Sequence, residues 1–384
     1  MRKRLQKVFF NPQIKSNRTK TKEENRGKTF MTDWTKRLAI SLVIPGLLIL
    51  GGCGGTAAGN SGGMGSSQQA STDSSQPKTM KVGVVLQESH STGKGIKKFA
   101  ELVEQKSGGN IKVTPYYAGQ LGDEQKMKEA IQAGIQEAGV ISPSIIESDL
   151  KEFGIFSLPF AFNNEQEAKE IIDGPFGQKL FDMLPQQDIV GLSYFGIGMR
   201  DMVNSKHPIT TLEDFQGMKI RSMQVQIHLE AYKALGINPQ PMPYTEVFTA
   251  METKAIDGAE NTLTVIESDK YNEVSKYLSL TDHLYSTMAL MVSKKFWDQL
   301  SPEEQKILKE AALEARDYQD QEHIVDVKSA LEKLQAAGME INEFSPEERK
   351  RLQEVVKPVI DQFAKEIGED LVNELYAELE KVRK

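Results

Sequence analysis

The chain has 384 residues with a single cysteine, 39% hydrophobic and 26% charged residues, and a net charge of −7 at pH 7. These proportions exclude a disulfide scaffold, a wholly disordered chain and a multi-span membrane protein. Residues 1–52 hold 12 basic and 3 acidic side chains, so the rest of the chain holds 35 basic and 51 acidic side chains, a net charge of −16. The acidic body argues against a broad nucleic-acid-binding surface, and the length favours two α/β lobes over one core.

The amino-terminal segment has the features of a secretion signal. Lys36 and Arg37 precede the apolar stretch LAISLVIPGLLIL at residues 38–50. This stretch is too short, at about 1.5 Å of rise per residue, to span a bilayer core of about 30 Å. Gly51-Gly52-Cys53 follows, and the segment resembles the lipoprotein box of bacterial lipoproteins. The resemblance implies that Cys53 is diacylated and becomes the mature N-terminus, with a secreted protein that has a free thiol as the alternative.

The residues around this signal lack the features of a packed domain. Met31 begins a signal of ordinary size, whereas residues 1–30 add a polar, basic stretch that a signal does not need, so Met31 is the expected start. After Cys53 the chain is nearly uncharged and rich in Gly, Ser, Ala and Gln, a composition that cannot bury enough surface to fold. We assign residues 1–52 to the signal region and residues 53–79 to a flexible tether that holds the body outside the cytoplasmic membrane.

Strands alternate with helices from Met80 onward. Apolar, β-rich runs predict strands at residues 80–87, 111–117, 138–142, 189–195, 218–222 and 240–242. Helical spacing predicts helices near residues 96–103, 123–132, 226–235 and 244–253. The alternation indicates βαβ units and a mostly parallel sheet, and because the series occurs twice we expect two sheets in two lobes. The predicted fold class is therefore α/β with two lobes.

Two matching helix starts mark the last third of the chain. Ser301-Pro302-Glu303-Glu304 and Ser345-Pro346-Glu347-Glu348 each combine an N-cap serine, a proline at the first helical position and a glutamate three residues after the cap. The first predicts a helix that Gly338 ends, and roughly 36 residues extend ~54 Å, long enough to brace both lobes. The second predicts an amphipathic helix that Pro358 kinks.

The sequence contains no recognisable catalytic or metal-binding arrangement. Its five histidines are His90, His207, His228, His283 and His323. Their spacing does not match a metal site, and one cysteine cannot complete a zinc site. Gly196-Ile197-Gly198 lacks the third glycine of a dinucleotide fingerprint, and neither a Walker sequence nor a complete nucleophile elbow occurs. We expect no cofactor, no metal and no enzymatic activity.

Long segments between Arg200 and Tyr285 resemble one family. These are MRDMVNSKHPITTLEDFQGMKIRSM, ALGINPQPMPYTEVFTAMETKAIDGAENTL and EVSKYLSLTDHLYS, and they are similar to the solute-binding subunit of tripartite ATP-independent periplasmic (TRAP) transporters of the dicarboxylate-binding type. The segments ELVEQKSGGNIKV, AGQLGDEQ and FGIFSLPFAF agree in the same order, so the similarity covers most of residues 80–317. The residues Ser222-Met223-Gln224 depart from the family's more usual Val-Pro start at this point.

The resemblance implies a periplasmic-binding-protein-like receptor with a ligand cleft between its lobes. Lobe I would comprise residues 80–197 plus 285–325, and lobe II residues 198–284 plus 326–384. Such a receptor closes on a small organic acid, a C4-dicarboxylate or a sugar acid, and delivers it to multi-span membrane subunits. The alternatives are a ligand-sensing lipoprotein that reports to a membrane kinase and a divergent lipoprotein enzyme.

Three pocket residues follow from the match with the family. Arg221 ends the strand MKIR and maps to the family's carboxylate-binding arginine; a guanidinium gives a carboxylate two parallel hydrogen bonds. Its alternative role is a surface ion pair. Arg200 maps to a second arginine near the pocket or forms an ion pair inside its lobe. Asn261 matches the asparagine of the family's G-x-E-N segment or stabilises a turn.

Three more candidates lie close to these in sequence. Met223 follows the Arg221 strand and is expected to border the ligand as part of an apolar wall. Tyr244 is expected to supply an aromatic wall. Glu246 either contacts the ligand or occupies the start of a helix, where the dipole favours a carboxylate.

The remaining candidates come from the first lobe and from the crossover between the lobes. Glu88 and His90 follow the opening strand at its carboxyl end, where polar residues face the cleft in this architecture. His90 could equally be a surface residue near a helix. Tyr285 is expected either in the pocket or in the packing of the hinge.

Overall fold

A computed structural model describes residues 77–384, so the predicted signal region, the predicted lipidation site Cys53 and the predicted tether up to residue 76 lie outside the described residues. Its strands are β1 (Lys78–Val84), β2 (Ile111–Tyr116), β3 (Ala138–Ile141), β4 (Ile189–Asn204), β5 (Lys219–Ser222), β6 (Asn238–Pro241), β7 (Gly258–Thr262), β8 (Tyr277–Ser293) and β9 (Glu340–Glu343). β1 therefore begins two residues inside the range predicted as tether.

The α-helices are α1 (Ser91–Lys106), α2 (Glu124–Gln132), α3 (Glu165–Ile172), α4 (Pro175–Phe181), α5 (Gln226–Ala234), α6 (Val247–Glu252), α7 (Leu263–Ser268), α8 (Lys294–Trp297), α9 (Pro302–Ala336), α10 (Pro346–Ile367) and α11 (Glu369–Val382). In this part of the chain, no helix has both the length and the apolar character needed to cross a bilayer.

The strands form one continuous sheet in the order β2-β1-β3-β8-β4-β7-β5-β6, with β9 beside β8. The expectation of two separate sheets is therefore wrong. β4 has 16 residues and β8 has 17, and they pair antiparallel along their length. At about 3.3 Å per residue, each extends roughly 50 Å, so the two strands pass through both ends of the sheet. Parallel pairing is confined to the two ends and the β8–β9 pair.

Separate hydrophobic cores pack against the two ends of the sheet. The largest core joins β1–β3 to α1 and α2 through residues such as Val82, Phe99 and Ile131. Two smaller cores pack around the other end, one centred on Ile220 and the other including Leu278. This arrangement is the two-lobed α/β fold expected from the sequence.

α9 connects these cores. Its N-cap is the predicted capping box, in which Ser301 Oγ accepts from Glu304 N at 3.2 Å and Glu304 Oε2 accepts from Ser301 N at 2.7 Å. The first half of α9 buries Leu308 and Ala312 in the largest core, and the second half buries Leu331 in a smaller one. The prediction of a long bracing helix is confirmed. After it, α10 contains Pro358 and is separated from α11 by Gly368, so the predicted terminal helix is two helices.

β4 is irregular where it passes between the two ends of the sheet. Its register against β8 shifts between Gly196 and Gly198 and again between Arg200 and Met202. Gly198 has a φ of +107°, and a Cβ there would lie 2.8 Å from Glu165 Oε1. Bulges bend a strand and re-aim the side chains beside them. These shifts flank the position of Arg200.

The buried carboxyl of Glu147 generates a prediction about stability and pH. Glu147 is 7% exposed, and burial raises the pKa of its carboxyl group to about 6 from an ordinary value of 4.5. Folding therefore favours the protonated form, and this stabilisation is complete below pH 4.5 and lost as the pH rises through 6. We expect the free energy of unfolding to fall by about 2 kcal/mol more between pH 4.5 and 7 in the wild type than in Glu147→Gln.

Urea unfolding at a series of pH values measures this difference. The exposed Glu104 provides a matched control, because Glu104→Gln should keep the pH profile of the wild type. Identical profiles for Glu147→Gln and the wild type would contradict the prediction.

Candidate functional site

A cavity of ≈ 20 Å³ lies between elements that belong to different cores. Its walls come from the N-terminus of α2, the segment after β3, the end of β5 and the chain before α6, and its lining residues are Asp123, Glu124, Gln125, Ile145, Arg221, Met223, Gln224, Met242, Pro243 and Tyr244. This volume accommodates about one water molecule.

Arg221 is the cation of this cavity. It is the penultimate residue of β5 and is only 4% exposed. Nε and Nη2 each donate to the Met242 carbonyl oxygen at 3.2 Å, and Nη1 lies 3.9 Å from Glu260 Oε1. Burial lowers the pKa of the Arg221 guanidinium from its ordinary value, but an arginine stays protonated in proteins. The cavity is therefore lined by a buried positive charge that can bind a carboxylate.

The carboxylate of Glu260 on β7 compensates the positive charges of two arginines. Its side chain is fully buried between Arg221 and Arg200. Arg200 Nε donates to Glu260 Oε2, Nη2 donates to the Glu260 backbone oxygen at 2.8 Å, and Nη1 donates to Ser286 Oγ at 3.2 Å. Arg200 thus forms an ion pair with Glu260. It does not line the cavity.

Buried histidines border this charge cluster. His283 Nε2 lies 3.8 Å from Glu260 Oε2 and 3.0 Å from the Tyr232 hydroxyl, and its Nδ1 lies 2.8 Å from Thr281 Oγ1. Burial and the nearby Arg200 lower the pKa of His283 to about 3. Burial likewise lowers the pKa of His228 to about 3. Both rings are neutral at pH 7 and add no positive charge to the cluster.

Met223 and Tyr244 line the cavity beside Arg221, and their roles as ligand-binding residues stay predictions. Tyr244 donates its hydroxyl hydrogen to the Asp269 carboxylate, which fixes the ring in the wall. Asn261 and Tyr285 are buried but do not line the cavity. Asn261 Oδ1 accepts from Thr262 N at 2.9 Å, and Tyr285 packs on Phe162 with ring centroids 5.8 Å apart.

Glu88, His90 and Glu246 lie away from the cavity. Glu88 is exposed and accepts a hydrogen bond from Lys97 Nζ at 2.9 Å, and Glu246 is exposed at the start of α6. His90 is buried as the N-cap of α1, where its Nδ1 accepts from Thr92 N at 3.1 Å and its Nε2 lies 3.1 Å from Thr264 Oγ1. Burial lowers the pKa of His90 to about 3.

Sequence reasoning missed two buried carboxyl groups, Glu124 and Glu260. Glu124 opens α2, lines the cavity, and accepts from Ser142 N at 2.7 Å through Oε1. Burial raises the pKa of Glu124, whereas the positive charges of Arg221 and Arg200 lower it by a smaller amount. Both residues lie in segments quoted for the family resemblance, AGQLGDEQ and GAENTL. Glu260 lies in the polar sequence GAENT, and its burial within β7 is visible only in the structure.

Across the described range, no group of three or more His, Cys, Asp and Glu side chains is arranged to hold a metal ion. The chemistry of the cavity is that of one guanidinium, two carboxyl groups, two glutamine amides and an apolar wall of methionine and tyrosine. Such a set binds a small anion with hydrogen-bonding groups.

The sequence model of the family described as bacterial extracellular solute-binding protein, family 7, matches residues 82–366. The 2,3-diketo-L-gulonate-binding periplasmic protein of Escherichia coli K12 is 31% identical over 305 residues, which are 79% of this chain and 92% of that protein.

Two solved structures are similar over most of the chain. A TRAP periplasmic solute-binding protein of Ochrobactrum anthropi, with its C-terminus bound in the ligand-binding pocket, is 43% identical with a TM-score of 0.73 and covers 80% of this chain and 96% of its own. The sugar-acid-binding protein of Advenella mimigardefordensis in complex with galactonate is 38% identical with a TM-score of 0.78 and covers 80% of this chain and 99% of its own.

The shared counter-ion leads to a prediction for Glu260→Gln. The substitution keeps the shape of the side chain but removes the carboxylate that Arg200 and Arg221 share. Breaking a buried ion pair in this way costs about 3–5 kcal/mol, so we expect a loss of that size in the free energy of unfolding by urea. Glu246→Gln removes the same charge from an exposed position and should stay within about 0.5 kcal/mol of the wild type. Equal stability of the two variants would contradict the prediction.

Proposed function

Because this chain belongs to family 7 of the bacterial extracellular solute-binding proteins, we propose that it captures a small organic acid outside the cytoplasmic membrane for delivery to the membrane subunits of a TRAP transporter. The observation that carries the proposal is Arg221, a buried guanidinium that lines a cavity between α2 and β5. The relatives named for 2,3-diketo-L-gulonate and galactonate support an organic acid as the ligand, either a sugar acid or a C4-dicarboxylate.

The geometry accounts for capture in chemical terms. A ligand carboxylate that enters the cleft can accept two parallel hydrogen bonds from the Arg221 fork, which lysine cannot reproduce. Met223, Met242 and Tyr244 exclude water around this contact, which strengthens it. Arg200 donates to Glu260 and Ser286, so its role is to hold Glu260 and thereby the position of Arg221.

Binding by this site requires the lobes to move. The cavity of ≈ 20 Å³ is smaller than an organic acid, so the ligand has to enter an open form and be enclosed afterwards. We propose that lobe I, residues 80–197 plus 285–325, moves against lobe II, residues 198–284 plus 326–384. The register shift between Gly196 and Gly198 lies at this boundary and supports a hinge in β4.

We also propose that the chain is held at the membrane by lipid on Cys53 and by no other segment. This part of the proposal is supported by the lipoprotein box and the tether composition in the sequence. The family is one of binding proteins rather than enzymes, so we infer that the bound acid is released unchanged. The relatives do not favour the alternative of a sensor that reports to a membrane kinase, since the matched structure from Ochrobactrum anthropi is a TRAP protein.

Arg221 variants test the proposed site. A thermal-shift screen of organic acids identifies the best ligand, and calorimetry then measures its affinity. We expect Arg221→Ala to lose about 200- to 5,000-fold in affinity, because the ligand carboxylate is buried without its partner. Arg221→Lys keeps the charge but lacks the fork and should lose at least ~10-fold.

Arg351→Ala is the matched control, since Arg351 is an exposed arginine paired with Glu213 and Glu348. Its affinity should equal that of the wild type, and circular dichroism checks that every variant is folded. Native affinity in folded Arg221→Ala, or no organic acid that binds the wild type, would reject the proposal.

Cys53→Ser tests the lipid anchor. Two acyl chains give stable membrane attachment whereas one chain is marginal, so loss of the thiol that carries the diacyl group should release the protein from the membrane. Fractionation of cells, followed by a high-salt wash and immunodetection, measures the released fraction. If Cys53→Ser protein stayed with the washed membranes, the chain would be anchored in some other way.

A further inference from the structure

A buried hydrogen bond joins the two proposed lobes beside the start of α1. His90 Nε2 lies 3.1 Å from Thr264 Oγ1, and the two residues, 174 positions apart in the chain, are 2% and 3% exposed. His90 precedes α1, whose Phe99 packs in the largest core. Thr264 lies in α7, whose Ile266 packs in one of the smaller cores. The hydrogen bond therefore depends on how the two lobes meet.

The capping role of His90 fixes the direction of this hydrogen bond. Its Nδ1 accepts from Thr92 N at 3.1 Å, so Nδ1 carries no proton. His90 is neutral at pH 7, because burial lowers its pKa to about 3. A neutral imidazole has one ring proton, which is then on Nε2. Nε2 is therefore the donor, and Thr264 Oγ1 is the acceptor.

The acceptor is connected to the strand that carries Glu260. Thr264 Oγ1 lies 3.2 Å from Thr262 Oγ1, and because it accepts from His90, it can donate its own hydrogen to Thr262. Thr262 is the last residue of β7, two positions after Glu260. The contact thus links the start of α1 to the strand that holds the counter-ion of the buried arginines.

This hydrogen bond matters only when the lobes are together. When they separate, water can pair with Nε2–H and with the threonine hydroxyl, so neither group loses a partner. When they meet, both groups are buried, and a buried donor without an acceptor is unfavourable. The donor needs little further ordering to form the bond, because the capping bond to Thr92 N already holds the ring.

We propose that the hydrogen bond from His90 to Thr264 is an interlobe latch that stabilises the closed, ligand-bound form of the receptor. The inference rests on the proposed function and adds two positioning residues to it. Neither residue lines the cavity of Arg221, so the latch acts without contacting the ligand there. A ligand that binds the closed form preferentially gains affinity from any contact made only in that form. The latch has to break before the acid leaves, so it slows release.

Thr264→Val tests the latch. Valine keeps the shape of the side chain but offers no acceptor, so Nε2–H is left unpaired when the lobes meet. An unsatisfied buried donor should weaken binding about 5- to 100-fold. The loss should be a faster dissociation, with an association rate within about 3-fold of the wild type. Calorimetry measures the affinities and surface plasmon resonance the rates, on the full-length protein with galactonate, glucuronate and succinate as the probes.

Two threonine variants are the controls. Thr264→Ser keeps the hydroxyl, and its affinity should stay within about 3-fold of the wild type. Thr249→Val makes the same change as Thr264→Val at an exposed position of α6 and should bind as the wild type does.

A double-mutant cycle tests whether His90 and Thr264 act together. His90→Asn keeps a capping acceptor for Thr92 N but has no atom at the position of Nε2, so it should also speed dissociation. Because both changes remove the same hydrogen bond, the affinity loss in His90→Asn/Thr264→Val should exceed the larger single loss by no more than about 2-fold.

The melting temperature without ligand separates a latch from a requirement for folding. In Thr264→Val and His90→Asn it should stay within about 3 °C of the wild type, because water pairs with both groups in the open form. Wild-type affinity in folded Thr264→Val, additive losses in the double variant, or a loss of ligand-free stability that accompanies the loss of affinity overturns the latch and leaves the proposed function standing. If none of the acids bound the wild type, the proposed function would be rejected and the latch with it.

Discussion

β4 and β8 pair antiparallel from Ile189 opposite Ser293 to Asn204 opposite Tyr277. This long pair is the constraint on which the other elements depend, because each end of it carries a different set of parallel strands: β3, β1 and β2 at one end and β7, β5 and β6 at the other. Each set brings its own helices and its own core. Two lobes thus share one sheet, and the same two strands that join the lobes also limit how they can move.

The pair also places the charged cluster. Arg200 lies on β4 opposite Thr262 of β7, which brings its guanidinium to Glu260, and Arg221 reaches the same carboxylate from β5. Three charges from three strands would each be costly alone in a buried site, and together they compensate one another. The charged cluster therefore stabilises the sheet as well as forming part of the candidate site. Within it, Arg221 makes the longer contact with Glu260, with Nη1 at 3.9 Å from Oε1.

The opposite wall of the cavity is formed by the N-terminus of α2. α2 begins at Glu124 because Asp123 caps it, and the same short stretch places two carboxyl groups at the helix N-terminus, where the dipole favours them. This acidic wall and Arg221 of β5 line the same cavity. The polarity of the enclosed space is thus set by elements distant in the chain, α2 on one side and β5 on the other.

Local patterns in the sequence were enough to predict the features that depend on neighbouring residues. The capping box at Ser301 and the length of α9, the alternation of β1–β3 with α1 and α2, and the position of Arg221 at a strand end all follow from period, propensity and cap chemistry. The family resemblance added the two-lobed architecture and pointed to Arg221, Met223 and Tyr244, which the structure brings to one cavity.

Tertiary structure alone decided the features that depend on distant residues. The sequence did not predict the length of β8, because a strand buried on both faces lacks an alternating pattern of apolar and polar residues. It did not predict a single sheet either, because the bulges of β4 interrupt the period of that strand. The side chain of His90 caps α1 because that helix offers unpaired N–H groups close by, and its role in ligand binding stays a prediction. Glu124 and Glu260 owe their roles to partners about 100 and 60 residues away along the chain, and no periodicity records such pairing; only packing brings Glu124 into the same cavity as Arg221 and Glu260 between two arginines.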